Sequence, residues 1–198
     1  AAMSLSGRTL VLTTTLRAIA IIAQVLRQQL AQRGSHLDVL AQGEWPKLRL
    51  MERFRAGAGP QGGCILVASA SFWEGFDVPG DALQLVVIDK LPFPPPGDPL
   101  VEARTLQIEQ SGGSAFKEYA LAEAALALKQ GAGRLIRHES DRGVLVVCDS
   151  RLVRMGYGKR LIAALPPMRR LSGAEEFHAA LEDLASVTRT STTDQTFL

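Results

Sequence analysis

The chain has 198 residues, 46% hydrophobic and 21% charged, enough for one substantial core or two small ones. A net charge of +2 demands no polyanion, so any nucleic-acid surface must be a local patch. Its two cysteines, Cys64 and Cys148, fall in apolar strand-like runs and are too few for a four-thiolate iron–sulfur or zinc site; they read as reduced core residues.

Thr9 to Thr13 reads as a first strand, followed by a helix from Leu16 to Gln32 whose apolar residues recur at helical spacing and which Gly34 ends. His36 to Leu40 is a second strand. Pro46 opens a helix over Leu48, Met51 and Phe54 that Gly57 closes. Cys64 to Ala68 and Leu83 to Ile88 are fully apolar strands, separated by Ser69-Ala-Ser-Phe-Trp-Glu-Gly-Phe-Asp-Val-Pro-Gly80. A Pro-rich loop, Leu91 to Pro99, leads into a helical stretch from Leu100 to Arg137, broken near Ser111 to Ser114. Val144 to Cys148 is a fifth strand. Helices near Tyr157 to Leu165 and Ala174 to Ala185 follow, then a polar tail, Thr188 to Leu198, expected to be disordered or lightly docked. Apolar strands alternating with amphipathic helices predict an α/β domain over residues 1–187, a mostly parallel sheet with helices on both faces. No apolar run reaches membrane-spanning length and no signal peptide opens the chain, so a cytoplasmic protein without membrane contact is expected. Ala1-Ala-Met3 reads as a truncation scar, with the chain beginning inside a larger protein.

Ligands of parallel sheets gather at the carboxyl ends of strands, which singles out Thr13 to Thr15, Ser69 to Gly80 and Lys90 to Phe93. A separate candidate is Gln130-Gly-Ala-Gly-Arg-Leu-Ile-Arg137. Arg134 and Arg137, three apart, would share one helix face and converge on an anion, and a planar guanidinium fork matches phosphate better than lysine does. Gly131 and Gly133 would let a ligand approach the backbone. A solvated arginine pair offsetting a helix dipole is the equally open structural alternative. In the loop after the third strand, Glu74, Gly75 and Asp77 favour function, because two acids and a glycine suit a site better than a core. Trp73 and Phe76 there read as core filling, and His36, His138 and His178 as structural or solvated.

The absences are informative. No Gly-x-x-x-x-Gly-Lys-Ser/Thr loop follows the first strand; Gly156-Tyr-Gly-Lys159 comes nearest, with Arg160 in the hydroxyl position. No Asp-Glu pair follows an apolar strand to hold magnesium, and no metal site is expected. Such a chain can offer arginines to a nucleotide but cannot cradle one alone. A self-sufficient nucleotide or methyl-transfer enzyme is therefore disfavoured. A protein-interaction module, docking on a replication or repair partner through the Ala174 to Leu184 helix and Phe197-Leu198, remains the alternative class.

The segment Gln130 to Arg137 resembles helicase motif VI, and Ser69 to Gly80 resembles motif V, of the DinG/XPD-type branch of superfamily-two DNA helicases. Leu10-Val-Leu-Thr-Thr-Thr15 is similar to motif IV, and Lys90-Leu-Pro-Phe-Pro94 to the segment after motif V. The resemblance runs from about Arg8 to Leu165 and implies a second RecA-like motor domain. Phe76 departs from the smaller β-branched residue common at that position. On this resemblance ATP and magnesium bind mainly to an N-terminal domain of the same polypeptide, which also carries a 4Fe–4S cluster. Arg137 is implied as the arginine finger, Arg134 as a second γ-phosphate contact and Gln130 as the residue positioning water or phosphate. Glu74, Gly75, Asp77 and Gly133 are implied at the nucleotide. Thr13, Thr14, Thr15, Ser71, Lys90 and Phe93 are implied on single-stranded DNA or a DNA fork, and unwinding polarity, 5′ to 3′, is implied by the family alone.

Overall fold

A computed structural model of the chain describes residues 1–57, 63–69, 72, 82–136 and 141–193, with side chains as far as Ser186. Five strands, β1 (Thr9–Thr13), β2 (Asp38–Ala41), β3 (Cys64–Ser69), β4 (Leu85–Ile88) and β5 (Val144–Val147), form one sheet in the order β2-β3-β1-β4-β5. Every pairing is parallel. The α/β architecture and all five strands agree with the sequence pattern, with ends displaced by up to two residues.

Alternation along each strand sends side chains to two apolar layers. Leu10, Leu12, Leu40, Leu66, Val86 and Ile88 face one layer, against α2 (Lys47–Ala56), α4 (Leu121–Ala132) and α6 (Gly158–Ala164) through Leu50, Phe54, Leu121, Leu128 and Leu161. Val11, Val39, Ala41, Ile65 and Val67 face the other, against α1 (Leu16–Gln32) through Ile19, Ala23 and Leu30. Leu85 and Val144 continue that second layer against Leu181 and Leu184 of α7 (Ala174–Thr193). Because β3 and β1 are covered on both faces, truncating Leu66 or Leu12 to alanine removes a fully buried side chain, a change that costs about 2–5 kcal/mol.

Helix ends follow local chemistry. The Thr15 hydroxyl accepts from Ala18 N at 3.2 Å and opens α1. Gly34 closes it at φ +63°, its amide donating to Ala31 O while Ser35 N donates to Leu30 O, as expected of a left-handed helix stop. Asp98 caps α3 (Pro99–Gln110) by accepting from Leu100 N at 2.8 Å.

Three features depart from the sequence pattern. The expected break near Ser111 is real, but the chain resumes as a π-helical segment, Phe116–Ala120, that runs into α4. A one-turn helix, α5 (Arg151–Arg154), follows β5, too short to leave a periodic signature. The tail expected from residue 188 is helical as far as Thr193. Packing of Leu181 and Leu184 forms the costly first turns, after which each further residue adds a hydrogen bond cheaply. Residues 194–198, including Phe197 and Leu198, lie outside the described part.

Candidate nucleotide and nucleic-acid site

Parallel pairing brings the carboxyl ends of all five strands to one edge. Thr13 lies opposite Ser69, and Leu12 opposite Ile88, which in turn lies opposite Val147. The connection leaving β1 through α1 covers one face of the sheet, whereas the connection leaving β4 returns through α4 on the other. Adjacent strands whose crossovers leave to opposite faces open a crevice outside their carboxyl ends. Thr13 to Thr15 and Asp89 to Lys90 flank that crevice.

Within it the threonines divide by role. Thr13 is buried, and its hydroxyl donates to Thr15 O at 3.0 Å. Thr15 is the cap of α1, and Thr14 is exposed. Lys90 is exposed at the end of β4. Phe93 is half-buried, its ring 5.7 Å from Phe116 and 5.9 Å from Tyr157, with the Arg151 guanidinium 5.5 Å over its face. The structure thus places Thr14 and Lys90 as accessible donors, and Thr13 and Phe93 as the framework that holds their loops.

Asp149 fixes that framework. Its carboxylate is 7% exposed, accepts from Leu91 N at 3.0 Å and binds Arg151 at 2.6 Å. The hydrogen bonds from the Arg151 side chain hold its carboxyl far below the usual carboxylate range, against the opposing effect of burial, and the Leu91 and Arg151 amides add to the effect. Gln42, just past β2, accepts from Ser69 N at 2.8 Å and Ser69 Oγ at 2.9 Å, anchoring the end of β3. Gln42, Asp149 and Arg151 were not singled out in the sequence, because their importance comes from partners 27 and 58 residues away. Only Asp149's position just after an apolar strand hinted at it. Cys148, expected in the core, is instead exposed, because β5 ends at Val147; burial of its sulfur and the nearby Asp89 raise its thiol pKa.

The second candidate group sits at the opposite edge. Helix α4 ends at Ala132, so Arg134 lies in the turn after it and not on the helix face expected for an Arg134–Arg137 pair. Gln130 is exposed on the last turn of α4, Gly133 is its exposed cap at φ −64°, and Arg134 is half-buried. A Cβ added at Gly143 would touch both Leu135 and Gln84 O, which places this turn beside the start of β4. That turn and Lys90 therefore lie at opposite ends of β4, a strand about 13 Å long at ~3.3 Å per residue. Ser71, Glu74, Gly75, Asp77 and Arg137 lie outside the described residues. The segment carrying the first four connects Ser69, at the carboxyl edge, with Ala82, near the edge of Arg134.

The helicase C-terminal domain family matches residues 1–168, a span that includes both edges. The chain is 46% identical over 165 residues to the ATP-dependent DNA helicase YoaA of Escherichia coli K12, covering 83% of this chain and 24% of that protein. It is 44% identical over 164 residues to YoaA of Haemophilus influenzae, with the same shares covered. Identity to the ATP-dependent helicase DinG of Mycobacterium tuberculosis H37Rv is 42% over 179 residues, 90% of this chain and 26% of that one. The chain thus spans about a quarter of the length of these relatives. With a five-stranded parallel sheet, threonines and a lysine at one edge and a half-buried arginine at the other, the chain belongs to the helicase C-terminal domain family, among the DinG and YoaA helicases.

Proposed function

We propose that this chain is the second motor domain of an ATP-dependent DNA helicase, acting with an ATP-binding domain elsewhere in the same polypeptide. The observation that carries this reading is the division of its polar groups between two edges of one sheet. Thr14 and Lys90 gather at the carboxyl edge, and Arg134 and Gln130 at the other. A motor needs that separation: one edge grips a strand, the other senses nucleotide, and a connecting segment transmits the difference.

Arg134 and Arg137 contact the nucleotide's terminal phosphates, with Arg137 as the finger that stabilises charge in the transition state. ATP supplies the reactive phosphoanhydride. Gln130, exposed on the last turn of α4, positions water or phosphate. Glu74, Gly75 and Asp77 couple nucleotide state to DNA grip. At the other edge Thr14, Thr15, Ser71 and Lys90 hold backbone phosphates, since a translocating motor must ignore sequence. Translocation runs 5′ to 3′. Magnesium and an iron–sulfur cluster do not fit here: among the described residues no three His, Cys, Asp or Glu side chains converge, and Cys64 lies on β3 whereas Cys148 lies just past the end of β5.

The test is Arg137→Lys in the full-length protein. Lysine keeps the charge and loses the fork. Loss of a finger should lower DNA-stimulated phosphate release by about two orders of magnitude or more, with DNA affinity and melting temperature nearly unchanged. A helix-end charge, a role lysine fills and worth only ~0.3–1 kcal/mol, predicts near-normal turnover and would remove the assignment. If Arg134→Lys alone is crippling, the finger is Arg134.

A further inference from the structure

Between Asp149 and Glu175 the sequence holds six cationic residues, Arg151, Arg154, Lys159, Arg160, Arg169 and Arg170, and no acid. In a chain with a net charge of only +2 this is a concentrated patch. Three of the six are engaged: Arg151 with Asp149 at 2.6 Å, Arg160 with Lys117 O at 3.3 Å, and Arg169 with Glu176 at 3.8 Å. The other three, Arg154, Lys159 and Arg170, are exposed and line one open crevice of about 340 Å³ between α5, α6 and the segment after α6. Its remaining walls are apolar, from Val153, Met155 and Ile162 among others, and among the described residues no carboxylate lines it.

Like charges around one crevice repel, and no described residue lining it offsets them, so its shape and charge suit an anion with an apolar body. The crevice adjoins the carboxyl edge. Helix α5 starts four residues after β5, and Asp149, two residues before Arg151, holds Leu91 while Arg151 covers Phe93. The junction is rigid, because Gly158 packs so closely on α5 that a Cβ there would collide with the Leu152 carbonyl.

We propose that this crevice is a second phosphate-binding station for single-stranded DNA, taking the strand beyond Lys90, with Arg154, Lys159 and Arg170 on backbone phosphates and Val153 and Met155 against sugars or bases. The proposal rests on the DNA reading above and adds to it a site outside the four helicase-like segments. A cationic groove with apolar contact area is the general form of sequence-indifferent single-strand binding.

The experiment compares oligo-deoxythymidine and oligo-deoxyadenosine binding by the full-length protein, its Lys90→Ala variant, and the triple variant Arg154→Gln, Lys159→Gln, Arg170→Gln across a salt series. The triple variant should lose affinity by roughly tenfold at low salt for both oligonucleotides, and its salt slope should flatten by about two units, at ~0.7 per phosphate contact. Should the triple variant melt early, Arg154→Gln and Lys159→Gln are measured singly, each flattening the slope by about 0.7. An unchanged slope in the crevice variants beside a flattened one in Lys90→Ala overturns the proposal and leaves the DNA reading standing. Absence of binding by the unaltered protein overturns both. Displacement of the oligonucleotide by polyglutamate at equal charge concentration also overturns the proposal, because the crevice would then serve an acidic protein.

Discussion

Asp149 is the residue on which the carboxyl edge depends. It joins the loop after β4, through Leu91, to the start of α5, through Arg151, and its carboxylate is nearly buried. Its folded pKa is depressed, so the stabilisation it contributes is fully present above the unfolded value of ~3.9 and is lost as pH falls from there toward the folded value. Asp149→Asn should therefore melt below the parent by an amount that is constant above about pH 5 and shrinks below about pH 4. At neutral pH the loss should be about 1–3 kcal/mol, as for a buried group that keeps its shape and loses charged hydrogen bonds. Thermal melts of both proteins across pH check this, and a pH-independent difference would contradict it.

At the scale of elements, the contact between α5 and α6 is the most specific packing at the site. Gly158 opens α6 and is buried. Helix propensity alone favours alanine over glycine by roughly 0.5–1 kcal/mol, so Gly158→Ala should stabilise if the position were open. The Leu152 carbonyl occupies the place a Cβ would take, and forcing the two helices apart costs about 1–3 kcal/mol. Packing should win, lowering the melting temperature by roughly 2–4 °C per kcal/mol for a domain of this size. The outer edge of the sheet is guarded differently: Arg27, on α1, donates to Val39 O of edge strand β2 at 2.6 Å and binds Glu44 at 2.7 Å, occupying backbone that another strand would seek.

For the whole molecule, the three apolar clusters of described residues form one layered core around the sheet. The isolated chain should therefore fold cooperatively, bind single-stranded DNA weakly, and hydrolyse no ATP, because it has no Gly-rich phosphate loop. Circular dichroism melting and a phosphate-release assay with and without DNA check both halves. DNA-stimulated turnover by the purified chain would overturn the division of labour between two domains.

The strands, the principal helices and the parallel α/β class were legible because each rests on local periodicity: β3 is six consecutive buried residues and α1 a clean amphipathic pattern. The motif-like segments were legible for a related reason, since phosphate chemistry requires arginine, threonine and glycine at short fixed spacings. Proximity across the fold was not. That Arg134 leaves the helix, and that its turn and Lys90 lie at opposite ends of β4, depends on where α4 ends against β4 and β5. That Cys148 is exposed depends on β5 stopping one residue before it. That Gln42 and Asp149 hold the site together depends on strand order, which pairs residues distant in sequence. Sequence by itself determined the strands and the principal helices and singled out candidates for phosphate chemistry; only the tertiary structure decided which of them meet, because register and crossover set distances that no local pattern encodes.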